Sequence, residues 1–159
     1  MRWEHRRAIP FDAALLSLNN EGMKSSAGSR SSGNDFGLLL LRIFLGGSLF
    51  LKHGLEKITH FSRMSAHFPN PIHIGSHASL IYALISDAIC SLLTVLGLGT
   101  RAAACIIVIN LGVVFCLVEH YAFWAGHGEL VVVYFGGFLA LMFAGAGRFS
   151  LDWKFWGRS

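Results

Sequence analysis

Residues 36–61, FGLLLLRIFLGGSLFLKHGLEKITHF, open as nearly pure hydrocarbon and close in charge. Arg42 interrupts the first half, and Lys52, His53, Glu56, Lys57 and His60 crowd the second. A helix needs about 20 mostly apolar residues to cross ~30 Å of hydrocarbon, and the run from Phe36 to Ile58 is long enough. Whether it belongs to a soluble core or to a membrane span decides the fold. The rest of the chain decides for the membrane. Of its 159 residues 53% are hydrophobic and only 14% charged, with a mean hydropathy of +0.54, whereas soluble domains carry about 25% charge.

Three further apolar runs follow, at about 78–98 (ASLIYALISDAICSLLTVLGL), 102–123 (AAACIIVINLGVVFCLVEHYAF) and 130–146 (LVVVYFGGFLALMFAGA). The last is the shortest, which a helix packed among others tolerates. The β-branched look of LVVVYF does not argue for strands, because an open strand edge cannot be satisfied in lipid. The expected architecture is an all-α integral membrane four-helix bundle over residues 36–148. Residues 1–35, containing EGMKSSAGSRSSGND, lack a packing pattern and read as a flexible tail, and 149–159 form a short second tail. FDAALLSL is too short for the core of a signal peptide. Cys90, Cys105 and Cys116 lie inside apolar runs with no CxxC pair and read as small buried hydrophobes.

The formal charge is +4, but the basic residues sit in tails and short loops and no nucleic-acid-binding pattern is present. Arg2, Arg6, Arg7, Lys24 and Arg30 precede the first span, Arg101 lies between the second and third, and Arg148, Lys154 and Arg158 follow the fourth. With four spans these segments share one side, and the positive-inside rule makes it the cytoplasm, N-in and C-in. Trp153 and Trp156 suit an interfacial belt. The opposite side collects His53, Glu56, Lys57 and His60 from the first span, Glu119 and His120 from the third, and Glu129 from the fourth.

At 100° per residue, Arg42, Gly46, His53, Glu56, Lys57 and His60 share one face of the first helix. A charge at the bilayer centre costs ~2.5–3.5 kcal/mol, so this face should point into the bundle, with Gly46 allowing close approach of another helix. Asp87, in the middle of the second span, shares its side with Ala83, Cys90, Ser91 and Thr94, a small and weakly polar seam, and requires a partner to stay charged. Arg42 from one side, or His53 or Lys52 from the other, is in reach. Asn110 sits in the middle of the third span, so Arg42, Asp87 and Asn110 form a candidate polar seam. A purely structural clamp remains as good a reading of it as a functional one. Likewise, the outer residues read equally well as a polar mouth or as interfacial residues solvated one by one.

LLLRIFLGGSLFLKHGLEKI, with Arg42, Gly46, His53, Gly54 and Lys57, resembles the first helix of the DoxX-like membrane proteins. SDAICSLLTVLGLGTRAAA is similar to that family's second-helix motif, with Asp87 in place of the usual Glu and Cys90-Ser91 in place of a glycine pair. HGELVVVYFGGFLALMFAGAGRFSLD resembles its fourth span and closing motif. The resemblance covers about residues 36–153. It implies a four-helix bundle in the cytoplasmic (inner) membrane of a prokaryote, acting as a small subunit of quinone-linked or oxidative-stress-related oxidoreductase systems.

The residues themselves offer little catalysis. GxSxG, Walker, GxGxxG and HExxH motifs are missing, and no mid-span histidine pair suits haem. His73 and His77 in HIGSH could hold a metal only if that segment were helical. The expectation is a non-catalytic subunit with no redox cofactor or metal of its own, with a quinone as the small molecule it could meet. It would contact lipid, redox-enzyme subunits and further copies of itself. A scaffold or assembly protein, and a small-solute or proton carrier, stay open as alternatives. The charge asymmetry makes a direct prediction. Single cysteines placed in either tail should resist a membrane-impermeant thiol reagent in intact cells, and labelling of either tail would reverse the orientation.

Overall fold

The computed structural model describes residues 32–70, 72–118 and 128–157; the expected flexible tail falls almost wholly outside them. Residues Asp35–Ser159 form one compact unit, and the described part of it is helical throughout. Helix α1 runs Ser32–Thr59 and α2 is one turn, Phe61–Met64. Helices α3 and α4 are Ser76–Leu96 and Thr100–Val118. Helix α5 is Gly128–Ala144 and α6 is Leu151–Trp156. Helices α1, α3 and α4, of 28, 21 and 19 residues, are long and apolar enough to cross a bilayer. Helix α5, of 17 residues, is apolar but shorter. The elements sit within a few residues of the expected spans.

The helices close into a ring. Ser48 of α1 accepts a hydrogen bond from the Tyr134 hydroxyl of α5 at 3.0 Å, and the Leu45 side chain fills the space over Gly137. Between α4 and α5 lie Ala103, Ala104, Ile107, Leu111, Tyr134, Phe138 and Leu141, all buried. Helix α3 buries Ala83, Asp87, Cys90, Ser91 and Thr94, the seam that helical periodicity assigns to it. Large apolar side chains such as Phe44, Leu51, Ile89, Ile109 and Phe143 stay exposed. Such a ring of outward hydrophobes is a surface made for hydrocarbon.

Helices α1 and α3 touch backbone to backbone at two glycines. A Cβ at Gly46 would stand 2.9 Å from the Ser91 carbonyl oxygen, and one at Gly54 would stand 2.7 Å from that of Asp87. Both helices widen into π turns there, at Phe50–Gly54 and Ile85–Cys90. A π turn takes up an extra residue, so the inward-facing position of α1 slips by one. Gly54 and Lys57 are buried, whereas His53 is half-buried and Glu56 and His60 are exposed. The uniform stripe expected at 100° per residue is corrected by that slip. The loosened backbone of α3 is bonded again by side chains: Ser91 Oγ donates to the Asp87 and Ala88 carbonyls and Thr94 Oγ1 to that of Cys90.

The chain's last described segment ties one end of the bundle. Helix α3 ends at Gly97, in the left-handed region at φ 74°. Leu98 N–H donates to Leu93 and Gly97 N–H to Thr94, the paired pattern of a Schellman cap. Helix α4 has no cap from its own neighbours; instead Asp152 accepts from Gly99 N–H at 2.9 Å and Thr100 N–H at 3.4 Å. Asp35 of α1 accepts from Arg148 N–H at 3.1 Å. The closing motif GRFSLD thus binds the ends of α1 and α4 together.

The Gly54 contact should be measurable. Gly54→Ala pushes a methyl into backbone that cannot yield, and should cost about 1–3 kcal/mol of stability in detergent unfolding. Gly47, with nothing within 4 Å of its would-be Cβ, should accept alanine within about 0.5 kcal/mol. Equal effects at both positions would mean that the close crossing does not exist.

Candidate functional site

Lys57 keeps its inward place through the slip and meets Asp87. Lys57 Nζ lies 2.8 Å from Asp87 Oδ2. Asn110 Nδ2 of α4 donates to Asp87 Oδ1 at 3.1 Å, so three helices meet on one carboxylate. Lys57, Asp87 and Asn110 are 8%, 6% and 6% exposed. A buried charge is tolerated only when paired and hydrogen-bonded, and here each carboxylate oxygen has a donor. The ionised carboxylate also fixes the Asn110 amide with its nitrogen toward Asp87, which leaves Asn110 Oδ1 as an acceptor. The ammonium has three protons. One goes to Asp87, and a long contact of 3.4 Å reaches the His53 carbonyl.

Lys57, Asp87 and Asn110 form the polar floor of a cavity of about 200 Å³. Its walls are apolar: Ala83 and Tyr82 of α3, Val113, Val114 and Val118 of α4, and Phe68, Pro69 and Ile72 of the α1–α3 loop. That loop is held over the site by Asn70, whose Oδ1 accepts from Gly75 N–H at 3.1 Å and from Ser79 Oγ at 3.2 Å. Phe61 meets His77 edge-on at 5.6 Å, which stacks the other end of the loop on α3.

The candidate residues distribute as follows. Asp87 and Asn110 come together, and Lys57 joins them from the outer set. Arg42 does not pair with Asp87, which corrects that expectation. Its fully buried side chain reaches toward α6 instead, and Nη2 donates to the Phe149 carbonyl at 2.5 Å. It lies beneath Gly97, where any side chain would collide with it. Periodicity puts Lys57 on the inward face together with His53, Glu56 and His60, and only the π turn, which has no sequence signature here, separates it from them. Outside the recess, His53 and Glu56 line a second groove of about 560 Å³ with Arg63, Met64 and His67, on the far side of the Phe68-Pro69 wall they share. His60 Nδ1 hydrogen-bonds Thr59 Oγ1 at 2.9 Å. Glu129 is exposed at the start of α5, and Glu119 and His120 lie outside the described residues. Among the described residues no group of three His, Cys, Asp or Glu side chains could hold a metal ion.

The family model for DoxX matches residues 37–120, just over half of the chain, and the match contains Arg42, Lys57, Asp87 and Asn110. No curated protein matches the chain, nor does any solved structure.

A double-mutant cycle should separate the two candidate partners of Asp87. Asp87→Leu alone strands the Lys57 ammonium and should destabilise strongly. Adding Lys57→Met should restore part of the loss, with a coupling of about 0.5–3 kcal/mol. Adding Arg42→Leu should be additive. Coupling to Arg42 and none to Lys57 would overturn the pairing.

Proposed function

The chain belongs to the DoxX family, a multi-pass membrane protein by its long apolar helices, and on that premise we propose that it is a small subunit of a quinone-linked membrane oxidoreductase. In this reading it carries no redox cofactor of its own, sits in the cytoplasmic membrane of a prokaryote with both tails inside, and offers a recess for a quinone head group. The observation that carries the reading is the buried ammonium at the floor of an apolar-walled cavity.

The fit is chemical and steric. Drug-sized ligands occupy roughly 300–1,000 Å³, so about 200 Å³ suits one substituted ring and excludes a whole prenylated molecule. Lys57 has a proton to donate to a carbonyl oxygen, and Asn110 Oδ1 can accept from a hydroxyl. The site therefore has a partner for both the oxidised and the reduced head group. Asp87 holds Lys57 in place at 2.8 Å, while Val113, Val114 and Phe68 wall the recess. A bound quinone would carry electron pairs to or from the partner enzyme. The groove lined by His53 and Glu56 lies one wall away from the recess.

One observation favours a plainer reading. Both oxygens of Asp87 are satisfied within the bundle, as in a polar clamp that merely fastens three helices, which is the scaffold function. The Asp87→Leu/Lys57→Met pair distinguishes the two. It removes the donor from the recess without stranding a charge, so the protein should still insert and co-purify with its redox partner in mild detergent. The complex should then show a KM for a soluble quinone analogue raised about tenfold or more, the loss of one charged hydrogen bond. Unchanged quinone kinetics would leave the clamp reading. Isolation of the native complex without any redox enzyme would end the subunit reading itself.

A further inference from the structure

A cleft of about 430 Å³ opens at the α6 end of the bundle, built from residues the recess does not use. Leu39 of α1, Leu96 of α3 and Leu151 of α6 line its apolar side, and Arg148, Trp153 and Lys154 its polar side. Leu96 is 45% exposed and continues the outward hydrophobic face of α3, so the apolar side runs into the surface that hydrocarbon covers. Phe149, just before the short helix α6, and Phe155, within it, are also exposed, the composition of an element lying in the membrane interface.

The charge of the cleft is unbalanced. Arg148 and Lys154 are both exposed, and neither has a carboxylate partner among the described residues. The two neighbouring acids are committed elsewhere: Asp152 has one carboxylate oxygen on Gly99 N–H and the other on Thr100 N–H, Asp35 accepts from the Arg148 backbone N–H, and neither is part of the cleft wall. The Arg148 guanidinium lies 5.5 Å from the centre of the Trp153 ring. Such a contact holds the cation in place while its N–H fork stays available to an acceptor.

We propose that this cleft binds an anionic phospholipid. Arg148 and Lys154 bracket the phosphodiester, Trp153 sits at the level of the glycerol, and an acyl chain follows Leu39 and Leu96 into the bilayer. A planar fork and a point charge are the two standard partners of phosphate oxygens. Two uncompensated cations favour a head group of net negative charge over a zwitterionic one. The apolar side of the cleft favours a lipid over free phosphate.

Native mass spectrometry of the purified protein in mild detergent tests this, using phosphatidylglycerol and phosphatidylcholine of identical chains. Phosphatidylglycerol adducts should appear at about 25-fold lower lipid concentration, the product of about fivefold from each of the two basic residues near a charged surface. Arg148→Gln/Lys154→Gln should abolish the preference, while Lys52→Gln, an exposed cation on α1, should leave it intact. Inorganic phosphate at millimolar concentration should not displace the lipid. Equal binding of the two lipids by the wild-type protein overturns the proposal. So does a preference that survives in the double variant, and so does displacement by phosphate, which would make this a free-anion site.

Discussion

The contact between Lys57 and Asp87 organises the middle of this bundle. Lipid gives helices no hydrophobic reason to associate with one another, so close packing and internal polar bonds must supply it. A lone carboxylate in the centre of α3 would have taken a proton or sought water. With an ammonium from α1 and an amide from α4 on its two oxygens, it becomes the point at which three helices agree on one register. Gly54 makes this possible by letting the α1 backbone approach that of α3 next to the pair. The π turns make it possible by turning Gly54 inward and Glu56 outward. Remove any of these and the others lose their purpose.

The overall fold was legible because hydrophobic length and charge position are strong signals, and helices of 19 to 28 residues leave little choice of architecture. The seam of α3 was legible too, since Ala83, Asp87, Cys90, Ser91 and Thr94 follow helical spacing, as was the close approach at Gly46. The partner of Asp87 was not. Arg42, His53 and Lys52 were all within reach on an ideal helix, and Lys57 shared its inward face with Arg42, His53, Glu56 and His60. A π turn shifts every later residue of the helix by one position, and FLKHG shows no proline or other mark of it. The role of Arg42 was hidden for another reason. Its partner is a backbone carbonyl at Phe149, and sequence patterns speak of side chains, not of which carbonyl lacks a donor.

The two ends of the bundle are finished by different physics. At the end with the α1–α3 loop, apolar side chains of that loop roof a polar floor, and a single asparagine pins the loop. At the other end backbone groups are the issue. Helix α4 begins at Gly99, with φ 55° and no capping side chain of its own, directly after α3 has stopped. Its free amides would be costly at the edge of a low-dielectric medium, and Asp152 satisfies them from more than 50 positions away in the chain.

That distant cap has a consequence for how the protein is made. Translation delivers α4 long before Asp152, so during synthesis the start of α4 waits with unsatisfied amides, held by water or head groups. Every earlier helix can already be inserted while this end of the bundle stays open, and it closes only when Asp152 and α6 arrive. The latch of α4 is therefore carried by a segment that follows every long helix described. A ribosome that stops early leaves a product with every long helix in the bilayer and an unlatched end, a flaw that a membrane protease could read.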